Sequence, residues 1–83
     1  MAYSVVYKHS VKRDLKRLDK AEIRRLLDRI ENELSTQPED RPVLKGNFAG
    51  LRKLRVGRYR VIYSVLDQNV IVLRIGHRKD VYR

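Results

Sequence analysis

Apolar positions recur along this chain with two different periods. From residue 51 to residue 75 they alternate with polar ones, in the run LRKLRVGRYRVIYSVLDQNVIVLRI. Alternation is the signature of half-buried strands, and the run divides into three, at 51–56, 59–66 and 70–75. Gly57-Arg58 is a Gly-X pair suited to a type II′ hairpin, and Asp67-Gln68-Asn69 turns the chain again. With Gly57-Arg58 as a two-residue loop, Val56 faces Tyr59, Arg55 faces Arg60 and Lys53 faces Ile62. Leu54, Val56, Tyr59, Val61 and Tyr63 then share one face, and Lys53, Arg55 and Arg60 share the other. Arg55 opposite Arg60 sets like charges side by side, which is locally destabilising. A broken local rule is where function is expected.

The register of the last strand stays open. A two-residue turn at Gln68-Asn69 puts His77 on the basic face with Ile71, Leu73 and Ile75. A three-residue turn puts Val72 and Arg74 there, sends Ile71, Leu73 and Ile75 to the core, and buries more apolar surface. A bulge at Gly76 then brings His77 or Arg78 back to the basic side.

The first half of the chain reads as one strand and two helices. Tyr3, Val5, Val6 and Tyr7 predict a strand over 2–8. Ser10 is the expected N-cap of a short helix on which Val11, Leu15 and Leu18 fall at i, i+4 and i+7. Asp19-Lys20-Ala21-Glu22 has capping-box spacing, with Asp in the cap position. Behind it Ile23, Leu26, Leu27, Ile30 and Leu34 form one apolar stripe. Gln37-Pro38 ends this helix, because a residue before proline is pushed out of the α region. The helices are read as an antiparallel hairpin. Residues 35–50 read as a loop that Val43 and Leu44 anchor to the core. The expected fold is α+β: an N-terminal strand and an antiparallel helix hairpin packed on one face of a small, mainly antiparallel four-stranded sheet.

Composition narrows the function. At 83 residues, 42% of them hydrophobic, the chain is a single domain over 1–83 with one modest core. It has no cysteine and only two histidines, His9 and His77, so neither a disulfide framework nor a zinc site is expected. No cofactor is expected. Twenty Lys and Arg against ten Asp and Glu give a formal charge of +10. The cations run from Lys8 to Arg83, so the whole body carries the field, which favours a polyanionic partner. No apolar run approaches the roughly 20 residues of a membrane span, and no signal is visible at the amino terminus. A cytoplasmic protein without membrane contact is expected.

Three stretches resemble a known family: Pro42-Val43-Leu44-Lys45-Gly46; the run from Gly50 through Lys53, Arg55 and Arg60 to Tyr63; and Gly76-His77-Arg78-Lys79-Asp80-Val81-Tyr82. With the order strand, helix hairpin, loop and three-stranded meander, they resemble the RelE/ParE superfamily of bacterial and archaeal toxins. The last stretch leans towards the RelE branch. The resemblance implies an endoribonuclease that cuts mRNA in the ribosomal A site and is held inactive by an acidic, RelB-like antitoxin, with DNA reached only through that antitoxin. It implies a catalytic set of Lys53, Arg60, Arg78 and Tyr82, with His77 beside Arg78, and Arg55, Lys45 and Arg52 as substrate-binding residues. One feature departs from the family. A lysine often found at the start of this strand is replaced by the Leu51-Arg52 region. A ParE-like poison of DNA gyrase, or an inert member that only binds its antitoxin, shares the same fold.

The chemistry explains the residue types. RNA is cut without metal when its 2′-OH attacks the adjacent phosphate. The reaction needs a base, cations for the growing phosphorane charge, and an acid for the leaving oxygen. Arg60 and Arg78 suit bidentate phosphate contacts. Lys53 among other cations is a candidate base, and histidine is the side chain that titrates near neutrality. Tyr82 is placed to stack on a base, orient the 2′-OH or donate a proton. Plainer readings stand beside these. Lys53 and Arg55 also fit solvated strand charges, His77 a turn residue, Tyr82 a packing aromatic, and Arg74 a structural or antitoxin-facing charge. The helix faces from Lys12 to Arg17 and from Arg24 to Arg29 fit either plain solvation or docking on ribosomal RNA.

Overall fold

A computed structural model describes residues 3–41, 43, 44 and 50–77. Four strands and two helices follow in the order β1 (Ser4–Tyr7), α1 (His9–Leu15), α2 (Lys20–Leu34), β2 (Arg52–Val56), β3 (Tyr59–Leu66) and β4 (Asn69–His77). A short 3₁₀ turn, Pro38–Asp40, lies between α2 and β2. The strands form one sheet in the order β1-β4-β3-β2. β1 runs parallel to β4, and the other neighbouring pairs are antiparallel. The α+β expectation therefore holds, with β1 entering beside the last strand.

Local chemistry accounts for the elements. Asp19 caps α2: its Oδ1 accepts from the Glu22 amide at 2.8 Å, as the capping-box spacing predicts. Leu26, Ile30 and Leu34 are the buried stripe of that helix. They meet Leu54, Val56, Val61, Tyr63, Val70, Val72 and Ile75 from the sheet, with Val11 of α1 closing the core. A fully buried aliphatic side chain such as Ile30 contributes about 1.5–3 kcal/mol. Gly57 turns the hairpin with φ +58, in the left-handed region that position requires, and the register pairs Arg55 with Arg60 and Lys53 with Ile62.

Several expectations are corrected. α1 starts at His9 after Lys8, and Ser10 is inside it, its hydroxyl donating to the Leu73 carbonyl at 2.5 Å. Ser10 therefore serves the sheet edge and not the helix end. Val43 is 48% exposed and does not anchor the 35–50 segment by burial. Backbone pairing to the start of β2 does, through a bridge between Val43 and Arg52 and a 2.7 Å bond from the Leu44 amide to the Leu51 carbonyl. The 3₁₀ turn is also tied to the sheet, because the buried Tyr63 hydroxyl donates to the Pro38 carbonyl at 2.5 Å.

β4 follows neither expected register. Its turn is Asp67-Gln68, with Asp67 at φ 55, so that Leu66 pairs with Asn69. Val70 and Val72 face the core, and a bulge at Leu73 then moves Arg74 opposite Ile62 and Ile75 opposite Val61. Strict alternation sends either the valines or Ile75 outward. One extra residue lets all three bury.

Candidate functional site

Lys53, Arg55 and Arg60 share the sheet face turned away from the helices, as the hairpin register dictates. Lys53 and Arg60 are partly buried and Arg55 is exposed. Cβ atoms of directly opposed residues stand about 4.5–5.5 Å apart, so Arg55 and Arg60 present two guanidiniums from one small area. Ile62, fully buried yet outside the core cluster, sits on this same face beside Lys53. The strands hold these cations in place, and the arrangement suits binding of phosphate and stabilisation of charge that grows on it.

The other candidate residues divide. Lys45, Arg78 and Tyr82 lie outside the described residues. His77 is not brought to the basic face. It pairs with Tyr59 on the helix side, ring edge to ring face, with centroids 6.1 Å apart. The bulge that was expected at Gly76 sits at Leu73 instead, so the strand end keeps His77 on the core face. The Tyr59 hydroxyl donates to Glu22, and that bond, more than burial, raises its pKa. Arg52 also points to the core side. Its Nη1 donates to the Glu39 carbonyl at 3.1 Å and the Arg41 carbonyl at 2.6 Å, so it fastens the 3₁₀ turn. Neither Arg52 nor His77 joins Lys53, Arg55 and Arg60. Among the described residues no group of His, Cys, Asp and Glu is arranged to hold a metal ion, and no helix is long and apolar enough to cross a membrane.

Two features were not visible in the sequence. Asp14 accepts from Arg74 at 3.0 and 3.2 Å and from the Ile75 amide at 3.0 Å, across 60 residues of chain. That bond raises the pKa of Arg74. A cleft of about 500 Å³ opens between α2 and the hairpin, with Leu26, Val56 and Tyr59 at its base and Arg25, Arg29 and Arg58 around it. Both need the helix hairpin docked on the sheet, and sequence spacing carries no signal for either.

Comparisons with known proteins agree on the family. The sequence pattern described as ParE toxin of type II toxin-antitoxin system, parDE, matches residues 5–82. Toxin RelG of Mycobacterium tuberculosis is 32% identical over 87 residues, spanning 100% of this chain and 99% of that protein. The toxin-antitoxin complex RelBE2 of Mycobacterium tuberculosis contains a chain that superimposes with a TM-score of 0.86 at 29% identity, covering 96% of this chain and 95% of that one. In the archaeal RelE-RelB complex of Pyrococcus horikoshii the values are 0.65 and 35%, covering 98% and 100%. With its helix hairpin on a β1-β4-β3-β2 sheet and its cationic β2–β3 face, the chain belongs to the RelE/ParE superfamily of toxins of type II toxin–antitoxin systems.

Proposed function

We propose that this toxin is a ribosome-dependent endoribonuclease that cuts mRNA in the ribosomal A site by metal-independent attack of the 2′-OH, and so stops translation. The observation that carries this reading is the shared face of Lys53, Arg55 and Arg60 on β2 and β3. A gyrase-binding surface has no need for clustered cations on a rigid sheet, whereas a pentavalent phosphorane does. Arg60 holds the scissile phosphate, Arg55 neutralises charge beside it, and Lys53 serves the 2′-OH. Arg78 and Tyr82 complete the set by family resemblance. His77, against Tyr59 on the other face, has at most a secondary part. The nucleophile is the RNA's own 2′-OH and the groups that assist it are side chains, so this reading calls for no cofactor. The partner is an antitoxin, as the RelBE2 and RelE-RelB complexes exemplify for their own toxins, and the charge of +10 favours an acidic one.

Primer extension of mRNA on programmed ribosomes tests this reading. Wild type leaves A-site cuts. Arg60→Ala lowers the cutting rate by about 10²–10³, the scale of removing one preorganised charge contact, and His77→Ala lowers it less. A loss from His77→Ala equal to that from Arg60→Ala reverses the ranking. The ParE description of the matching family keeps gyrase poisoning as the second reading. Induction of a DNA-damage response without mRNA cuts selects it, and neither effect selects an inert antitoxin-binding member.

A further inference from the structure

The outer edge of β4 beside α1 carries a second concentration of positive charge. A hollow of about 290 Å³ there is lined by Ser10, Arg13, Asp14, Arg17 and Arg74. Three guanidiniums surround one carboxylate. That carboxylate is spent within the fold, since both its oxygens accept from Arg74 and one also accepts from the Ile75 amide. Arg13 and Arg17 are exposed and make no ion pair among the described residues. Ser10 and Asp14 bond to β4 itself, so this end of α1 is held against the sheet, with Arg13 on the helix and Arg17 in the turn that follows it.

We propose that Arg13, Arg17 and Arg74 form a second site for the RNA phosphodiester backbone, at the β4 edge of the sheet and separate from the β2–β3 cations. The site rests on the endoribonuclease reading for the identity of its ligand, and its chemistry favours RNA over an acidic protein. The hollow is lined by polar side chains alone, so it offers no apolar floor to a partner helix. The cleft beside α2 does, with Leu26, Val56 and Tyr59. Nor can a partner strand add here, because the Leu73 carbonyl and the Ile75 amide are already taken by α1. Planar guanidiniums around an open polar hollow suit phosphate oxygens. Such contacts position a nucleic acid without reading its sequence. The register also aligns the two sites. Lys53, Ile62 and Arg74 form one row across β2, β3 and β4, and two strand spacings separate the Cα atoms of Lys53 and Arg74 by about 10 Å. One RNA strand running across the sheet reaches both.

Fluorescence anisotropy with a labelled, non-cleavable 2′-O-methyl RNA oligonucleotide, titrated at several salt concentrations, tests the site without requiring catalysis. Arg13→Ala/Arg17→Ala is expected to weaken binding about tenfold or more. It should flatten the plot of log K against log salt by about 1.4, at roughly 0.7 per lost phosphate contact on a single strand. Lys20→Ala/Arg24→Ala removes the same charge from α2 and should change little, and Arg13→Lys/Arg17→Lys should restore most of the slope. Equal losses from the two alanine pairs overturn the site, because net charge alone then explains binding. An unchanged slope overturns it as well, as does a loss of polyglutamate binding with RNA binding intact. The nuclease reading fails separately. RNA held through these arginines without A-site cutting sinks that reading and leaves this site, whereas A-site cutting with an unchanged slope does the reverse.

Discussion

Arg55 and Arg60 show most directly what a single position trades. They face each other across the hairpin, where like charges are unfavourable by a few tenths to about 1 kcal/mol. Arg55→Glu turns the repulsion into attraction. The variant should melt a few degrees higher, at about 4–8 °C per kcal/mol for a domain of this size, while losing RNA affinity. Calorimetry beside anisotropy checks the pair of effects. A lower melting temperature, or unchanged RNA binding, contradicts the role given to Arg55. These two residues were legible in the sequence because a Gly-X turn of two residues pins the register on both sides of it. Arg52 and His77 were not assignable in that way. The part each plays depends on what packs against it, the 3₁₀ turn in one case and the Tyr59 ring in the other.

At the scale of elements, the junction of α1 with β4 is the least foreseeable part of the fold. β1 covers the edge of β4 only as far as Val72, and the Lys8 amide bonds to the Val72 carbonyl at 3.0 Å. Beyond that point α1 takes over with side chains, Ser10 serving the Leu73 carbonyl and Asp14 the Ile75 amide. A helix thus seals a strand edge that otherwise offers unpaired groups to another chain. Asp14→Ala should destabilise by about 2–3 kcal/mol, because it removes charge-assisted bonds and strands the amide of a buried residue. Arg74→Ala should cost about 1 kcal/mol or less, since its side chain is 41% exposed and the amide keeps its acceptor. Urea unfolding of both variants measures the order. Equal losses mean that the ion pair, and not the edge bond, carries the stability.

Across the whole molecule, a small core supports a large positive surface charge, and two tyrosines, Tyr63 in the core and Tyr7 packed against it, make the fold sensitive to alkali. Burial pushes the Tyr63 phenol up to about 12, with Arg41 and Arg52 pulling partly against it. Burial raises Tyr7 as well, helped by Glu31. The folded state therefore keeps protons that the unfolded chain releases near pH 10. Above that point the unfolded state binds fewer protons, so stability falls with rising pH. The contribution of Tyr63 is complete below about pH 10 and disappears through about pH 12. Thermal melts across that window should fall more steeply for wild type than for Tyr63→Phe. At neutral pH that variant should lose about 1 kcal/mol with the bond to the Pro38 carbonyl. Parallel curves rule out Tyr63 as a source of the alkaline loss.

The sequence by itself determined what repeats locally. The apolar stripe of α2, its Asp19 cap, the Gly57 hairpin and the gathering of Lys53, Arg55 and Arg60 on one face all follow from helical period, strand alternation and turn chemistry. The family was legible for a related reason, because its longest motif, from Gly50 to Tyr63, lies in the contiguous β2–β3 hairpin. Only the tertiary structure decided the register of β4, the bulge at Leu73, the side taken by His77 and the meeting of Asp14 with Arg74. Each of these is settled by which buried arrangement satisfies more backbone groups and apolar surface at once. That competition involves residues about 60 positions apart, which no local period records.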